Sequence, residues 1–259
     1  QNTASLGSTA GGTVVTNTGE VQIDGSGLMI AEAITIMSGT GSSGGGALRN
    51  LANTNTWAGS ITLSNATRVA SDGGTLILTG GINGSVYGRA LTIGGAGDVI
   101  VQTVAIGGNI WGLTKDGVGK LTLTAANTYV GYTTVSGGTL EFGGSGSLAD
   151  VGYAFSIADG AVLKFNTSVS HYLSGVITGG GSLVQAGNGS TLYMSRNNTD
   201  SSYSGGTTIS GGRIQLDRNV ANALGSTAGP LTVNTGGTLD LNAASLIVGS
   251  LSGTGGIIT

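Results

Sequence analysis

The sequence has no cysteine, a single proline and very little charge. Disulfide bonds and thiolate metal sites are therefore excluded. Only 8% of the 259 residues are charged, against about 25% in an average globular domain. The Lys and Arg residues number 9, are scattered singly and leave a net charge of −3. Because phosphate neutralisation needs a basic surface, nucleic acid is not an expected partner.

Long hydrophobic runs are also missing. The most apolar window, residues 28–37, contains Glu32 and is shorter than the roughly 20 apolar residues that a membrane-spanning helix needs. We therefore expect no membrane insertion by this segment. The alternation of Ile34, Thr35 and Ile36 predicts that the window forms strand rather than helix.

Glycine is abundant, with 52 residues, and it marks a repeated phrase. Residues 137–142, 211–216 and 236–241 each place a glycine pair before a strand in which every second residue is large and apolar. One such strand cannot bury its apolar face alone, so copies at intervals of roughly 20–25 residues predict stacked coils. The predicted fold is all-β, a parallel β-solenoid of roughly 11–13 coils that covers residues 1–259 as a single domain.

Alternation within the strands predicts which side chains fill the interior. Between them, Glu141, Lys164, Gln215 and Asp240 are expected to point to solvent, with Glu141 and Lys164 paired across neighbouring coils. The residues expected to point inward are Leu76, Leu78, Leu121, Leu123, Leu140, Phe142, Leu163, Phe165, Ile214, Leu216, Leu239 and Leu241.

A longer unit repeats as well, since residues 55–63 match residues 127–135. Within it an aromatic side chain recurs as Trp57, Tyr129 and Tyr203. We interpret these aromatics as packing residues at corners rather than as platforms for sugars. Carbohydrate binding is better sought at an irregular insertion, residues 197–204.

Residues 113–129 and 133–140 resemble the autotransporter-associated β-strand repeat, whose pattern reads approximately L-T-K-x-G-x-G-x-L-T-L-x-x-x-N-T-Y and then T-T-V-x-x-G-T-L. The match is strong over residues 44–143 and looser over residues 173–217. The resemblance implies a right-handed parallel β-helix that is secreted by or displayed on bacteria as a module of a longer passenger. Gln185 stands where the first copy has Lys115, so that lysine is not a repeated functional element.

Two glycine-rich segments carry spacings known from ligand sites. Residues 39–44 satisfy the dinucleotide-binding spacing, which also requires a following helix and an acidic residue about 20 positions on. Asn residues follow instead, and the next acid is Asp72. Residues 94–98 are similar to a calcium-binding nonapeptide but lack a tandem copy. Both segments are interpreted as structural turns.

The sequence contains one histidine, His171, preceded by Ser170 and with Asp159 nearby. A Ser-His-acid arrangement would need these groups in contact, but no nucleophile elbow surrounds them, and we expect a surface or corner residue. A polysaccharide-acting β-helix enzyme would need clustered acids on an outer face, for which Asp116, Glu141 and Asp159 are the candidates. We predict no catalytic, cofactor-binding or metal-binding residues.

The predicted function is that of a non-enzymatic extracellular or cell-surface β-solenoid rod, acting as adhesin module, spacer or matrix component. Its expected partners are host-surface glycans or proteins, or copies of itself. Two alternatives remain open, namely a fibre subunit that stacks end to end and a polysaccharide-acting enzyme.

Overall fold

The computed structural model of the chain describes residues 11–149, 154–195, 201–218 and 223–259. The chain divides into two compact units, residues 1–131 and residues 132–259, and each is described by itself. The first contains, in chain order, β1 (Thr13–Val15), β2 (Val21–Ile23), β3 (Met29–Ile30), β4 (Ile34–Gly39), β5 (Leu48–Asn50), β6 (Thr54–Trp57), β7 (Ile61–Ser71), β8 (Thr75–Leu78), β9 (Ile82–Gly84), β10 (Arg89–Gly94), β11 (Asp98–Val101), β12 (Ile110–Lys115), β13 (Lys120–Leu123) and β14 (Ala126–Asn127).

Three rows of parallel strands build this first unit. One row contains β1, β4, the first part of β7, and β9. A second contains β2, β5, the second part of β7, β10 and β12. The third contains β3, β6, β8, β11 and β13. Successive strands along the chain thus belong to different rows, which is the connectivity of a solenoid.

The second unit contains, in chain order, β15 (Tyr132–Val135), β16 (Thr139–Gly144), β17 (Ser147–Leu148), β18 (Phe155–Ile157), β19 (Val162–Thr167), β20 (His171–Leu173), β21 (Ile177–Thr178), β22 (Ser182–Gln185), β23 (Thr191–Met194), β24 (Thr207–Ile209), β25 (Gly212–Leu216), β26 (Pro230–Val233), β27 (Gly237–Asp240), β28 (Ser250–Ser252) and β29 (Ile257–Ile258). Its rows are β15-β18-β21, β16-β19-β22-β24-β26-β28 and β20-β23-β25-β27-β29. Neighbouring strands within these rows run parallel to each other.

The predicted fold class is confirmed. The chain is all-β, with parallel strands stacked as a β-solenoid of about 11 turns, at the lower end of the predicted range. Coil length varies, since Leu163 pairs with Leu183 but Val21 pairs with Leu48. The right-handed sense of the coil and the single domain over residues 1–259 stay predictions.

The interior is filled by columns of aliphatic and aromatic side chains. Leu76, Val99 and Leu121 lie in register in the first unit, and Leu140 and Leu163 do so in the second. All are essentially inaccessible to solvent, and each fully buried side chain contributes roughly 1.5–3 kcal/mol. Every residue predicted to point inward is buried except Leu241, which lies beyond the end of β27 and is half-buried.

Within residues 28–37 the predicted strand is present as two pieces, β3 and β4, which residues 31–33 separate. Glu32 lies between them and is buried, where it accepts a hydrogen bond from Thr13 Oγ1 at 3.1 Å. In the described part of the chain, no helix has the length and apolar character needed to cross a membrane.

The predicted pairing of Glu141 with Lys164 is confirmed, since Nζ of Lys164 lies 3.2 Å from Oε2 of Glu141. The predicted exposure of Glu141 is wrong, because its side chain is only 9% exposed. Lys164 covers one side, and Asn166 donates from Nδ2 to Oε1 at 3.3 Å. The outward residue Asp240 is likewise paired, 3.4 Å from Nη1 of Arg213.

Candidate functional site

The single histidine is part of the core. His171 is 5% exposed, its Nδ1 lies 3.0 Å from the carbonyl oxygen of Val169, and its ring packs 5.0 Å from that of Phe165. Burial lowers the pKa of the imidazole. The predicted surface or corner position is wrong, because strand alternation turns His171 inward and Tyr172 outward.

Ser170 has a different role from that of a nucleophile. Its Oγ accepts a hydrogen bond from the backbone N–H of Thr191 at 3.0 Å, so it joins two neighbouring coils. Catalysis by a Ser-His pair requires the serine hydroxyl to bond to the imidazole. No such bond is present between these two described residues.

The glycine-rich segment of residues 39–44 is a turn, as interpreted. It contains a single turn of 3-10 helix, Ser42–Gly44, which is too short to present a phosphate site. The carboxylate of Glu20 accepts hydrogen bonds from the backbone N–H and the hydroxyl of Ser42 at 3.1 and 3.0 Å. An acidic side chain therefore occupies the place that a phosphate would need.

The second glycine-rich segment is also a corner. Oδ1 of Asp98 accepts the backbone N–H of Lys120 at 2.8 Å, which ties one coil to the next. Among the described residues, no group of three or more His, Cys, Asp or Glu side chains could hold a metal ion.

Two of the three acids considered for an enzyme, Asp116 and Glu141, are engaged in structural contacts, and Asp159 is exposed at a turn. Arg68 donates two hydrogen bonds to Asp116, from Nε at 3.0 Å and Nη2 at 2.9 Å. Glu141 is held by Lys164. A glycosidase needs one protonated and one ionised carboxyl beside the substrate, and carboxylates already paired with cations do not provide this arrangement.

The three recurring aromatics are packing residues, as interpreted. Trp57, Tyr129 and Tyr203 are all fully buried and are therefore inaccessible to a sugar. The hydroxyl of Tyr203 lies 2.6 Å from Oγ1 of Thr207, which satisfies its polar end inside the core.

A buried polar side chain stands two residues before each aromatic, and sequence reasoning missed its role. Oδ1 of Asn55 accepts the backbone N–H of Leu28 at 2.9 Å. Asn127 does the same for Ile106 at 3.0 Å. In the second unit, Ser201 Oγ accepts the N–H of Ile177 at 3.0 Å. Each side chain thus satisfies a backbone donor of the preceding coil.

Lys115 and Gln185 also share a structural role. Both are buried, and both donate to the carbonyl oxygen of the glycine two residues on, Lys115 to Gly117 at 2.9 Å and Gln185 to Gly187 at 3.5 Å. Burial lowers the pKa of Lys115 to about 8. The interpretation that this lysine is not a repeated functional element agrees with these contacts.

The outer surface of the second unit carries an aromatic stack that sequence reasoning missed. Tyr172 and Tyr193 are paired in register on β20 and β23. Their ring centroids lie 4.4 Å apart with an interplanar angle of 9°. Alternation and coil spacing could have found both, because each is the outward residue between two inward ones.

A groove of about 260 Å³ adjoins this stack. We call it the tyrosine groove and define it by its lining residues, Tyr172, Tyr193, Met194, Ser195, Gln215, Leu216, Asp217 and Asn242. Strand register sets its shape: Tyr172, Tyr193 and Gln215 form one outward column. Ser195 and Asp217 follow directly after the ends of β23 and β25. Residues 197–200 of the predicted insertion lie outside the described residues.

The described residues define a β-solenoid repeat protein with buried structural polar groups and an open tyrosine-lined groove. Residues 113–142 and 178–216 match the family model described as passenger-associated-transport-repeat. These segments lie within the regions in which the resemblance was seen, so two parts of the chain match passenger repeats.

The chain is also similar to the protein named adhesin BmaC autotransporter of Brucella suis biovar 1 (strain 1330). The two are 34% identical over 181 residues, which cover 64% of this chain. The chain spans only 5% of that relative's length. No solved structure matches the chain.

Proposed function

We propose that this chain is an adhesive segment of an extracellular or cell-surface passenger and performs no chemistry of its own. The observation that carries the proposal is the passenger repeat on a solenoid whose open groove is lined by stacked tyrosines. The similar Brucella suis protein is named an adhesin, which supports the same function. Host-surface glycans or proteins are the partners that we propose.

The division between interior and surface also supports an adhesive function. Three titratable side chains of the kind that enzymes use are buried and make hydrogen bonds or ion pairs within the fold, namely His171, Lys115 and Glu141. The outer columns carry hydroxyls, as at Thr232 and Ser252, whose oxygens lie 3.0 Å apart. Such a surface offers contacts rather than catalysis, because catalytic groups need perturbed and accessible titratable side chains.

Adhesion of coated beads tests this proposal. Beads carrying the folded chain should be retained on epithelial cells or on extracellular-matrix coatings more than albumin-coated beads. The control is the same chain immobilised after unfolding in urea, which should lose the retention because adhesion depends on the folded surface. Retention equal to that of albumin across cell types and matrix coatings would contradict the proposal.

A further inference from the structure

We propose that Asn188 is a site of spontaneous deamidation, at which the folded chain converts this asparagine into aspartate or isoaspartate without an enzyme. An asparagine followed by glycine favours the reaction, because the glycine carries no Cβ that would hinder its nitrogen from approaching the asparagine side chain. The sequence contains two Asn-Gly-Ser segments, residues 83–85 and 188–190. Their local sequence is the same, so a difference between them must come from the structure. The inference is independent of the proposed adhesive function.

The reaction joins two neighbouring groups of the backbone and side chain. The backbone nitrogen of Gly189 attacks Cγ of Asn188, a C–N bond forms, and the side-chain nitrogen leaves as ammonia with the hydrogen of the attacking N–H. Water then opens the cyclic imide at one of its two carbonyl carbons, which gives aspartate or isoaspartate. Nothing is oxidised or reduced, and solvent water is the only co-reactant. The reaction therefore needs an N–H that is free of other bonds and a peptide that can rotate.

The peptide between Asn188 and Gly189 meets both conditions. It lies at the tip of the turn between β22 and β23, and both residues are exposed. Gly189 has φ of +79°, and a Cβ there would meet nothing within 4 Å. In the described part of the chain, neither the N–H of Gly189 nor the amide of Asn188 has a hydrogen-bond partner. The turn is held at its ends, where the N–H of Ser190 donates to the carbonyl oxygen of Gly187 at 3.4 Å.

The peptide between Asn83 and Gly84 lies instead in a paired strand. It belongs to β9, in which the two residues pair with Thr62 and Leu63 of β7. Gly84 is buried, and its carbonyl oxygen accepts a hydrogen bond from Nδ2 of Asn109 at 3.0 Å. Its N–H is engaged, because it donates to Oδ1 of Asn83 at 2.9 Å. The strand pairing and the bond from Asn109 resist the rotation that would bring the nitrogen over Cγ.

Deamidation of Asn188 changes the corner in charge and in length. A carboxylate replaces a neutral amide, so the net charge of −3 becomes more negative. Isoaspartate also inserts the side-chain methylene into the backbone of the turn. The side chain lies against the next coil, since a Cβ on Gly211 would be 2.6 Å from Oδ1 of Asn188. The tip of the turn is exposed and makes no strand pairing, so we expect the solenoid to stay folded after the reaction.

Storage of the whole folded chain in mildly alkaline buffer tests the inference, with peptide mapping by mass spectrometry at intervals. We expect Asn188 to deamidate and Asn83 to react at least about tenfold more slowly, because β9 must first open locally. The same chain in urea is the matched control, since both segments are then accessible and should react at similar rates. Asn188→Gln should remove the fast reaction, because glutamine would have to form a larger ring. Circular dichroism confirms that the stored chain and the variant are folded.

Three results would overturn the inference. One is a rate at Asn83 in the folded chain that equals or exceeds the rate at Asn188. A second is a rate at Asn188 at least about tenfold lower in the folded chain than in urea, because the turn would then protect it. The third is loss of the circular dichroism signal in step with deamidation, because the reaction would then belong to the unfolded chain. None of these results bears on the bead assay, which tests adhesion separately.

Discussion

Buried polar side chains decide which single residues matter most to this solenoid. Asn55, Asn127 and Ser201 each accept a backbone N–H from the preceding coil. The N–H groups of Ile106 and Ile177 are buried, and an unpaired N–H inside the fold costs more than the net gain of one hydrogen bond. The repeat therefore keeps a short polar acceptor before each buried aromatic and accepts either Asn or Ser there.

Substitution of Asn127 tests this role. Asn127→Ala should lower the free energy of unfolding by roughly 1–3 kcal/mol, because the N–H of Ile106 loses its acceptor. Asn127→Ser should lower the free energy of unfolding by less than Asn127→Ala does, since a serine accepts the corresponding hydrogen bond at position 201. Urea denaturation of both variants measures the difference. Equal losses would mean that the hydrogen bond to Ile106 does not carry the effect.

His171 gives the chain a predictable sensitivity to acid. Its pKa in the folded chain is lowered from 6.5 by burial, so the unfolded chain binds a proton that the folded chain does not. Stability is therefore greatest above pH 6.5 and is lost as the pH falls below it. His171→Phe keeps an aromatic ring beside Phe165 and removes the titration.

Unfolding free energies between about pH 7.5 and 5.5 measure this effect, because His171 is the only histidine and few other groups titrate there. The slope of stability against pH should be positive for the native sequence and close to zero for His171→Phe. Equal slopes for the native sequence and His171→Phe would be inconsistent with a buried neutral imidazole.

At the scale of the strand and its turn, glycine allows neighbouring coils to approach closely. Gly117 has φ of +67°, and a Cβ there would lie 2.3 Å from the carbonyl oxygen of Gly95. Gly27 has nearly the same φ, +68°, but a Cβ there would meet nothing within 4 Å. The two positions share a left-handed backbone conformation and differ in the contact between coils.

Alanine at these two glycines separates the two effects. Gly27→Ala should lower the free energy of unfolding by about 1 kcal/mol, because alanine disfavours the left-handed backbone conformation. Gly117→Ala should cost at least about 2 kcal/mol more, because the turns of neighbouring coils must separate or distort. Urea titrations of both variants measure the loss of unfolding free energy in each. A loss at Gly117 no greater than that at Gly27 would show that the close approach is unimportant.

For the whole molecule, much of the fold was predictable because a stacked strand repeats its environment. Alternation placed Leu140 and Phe142 inside, and coil spacing brought Glu141 beside Lys164. Both are backbone properties that every copy of the repeat shares. The prediction that Leu241 points inward was wrong, because sequence alternation does not show where a strand ends.

The candidate site was predicted less well, for a physical reason. The tyrosine groove depends on outward residues that the repeat does not fix, so Tyr172 and Tyr193 left no repeated signal. The burial of His171 depends on its packing against Phe142 and Phe165, a contact between side chains that strand alternation alone does not reveal. The burial of Glu141 likewise depends on the side chains that cover it, those of Lys164 and Asn166.

Disulfide trapping tests the central claim, that coils of the second unit stack in register. Val184, Thr208 and Thr232 lie in one outward column on successive coils, and the sequence has no cysteine of its own. Neighbouring strands lie about 4.8 Å apart, within reach of a disulfide. Residues two coils apart, at about 10 Å, are beyond reach.

The account predicts that the pair Val184→Cys and Thr208→Cys oxidises to a disulfide in the folded chain. The pair Val184→Cys and Thr232→Cys should stay reduced under the same conditions. Mass spectrometry after alkylation distinguishes the two. A disulfide in the second pair, or its absence in the first, would contradict the stacked solenoid.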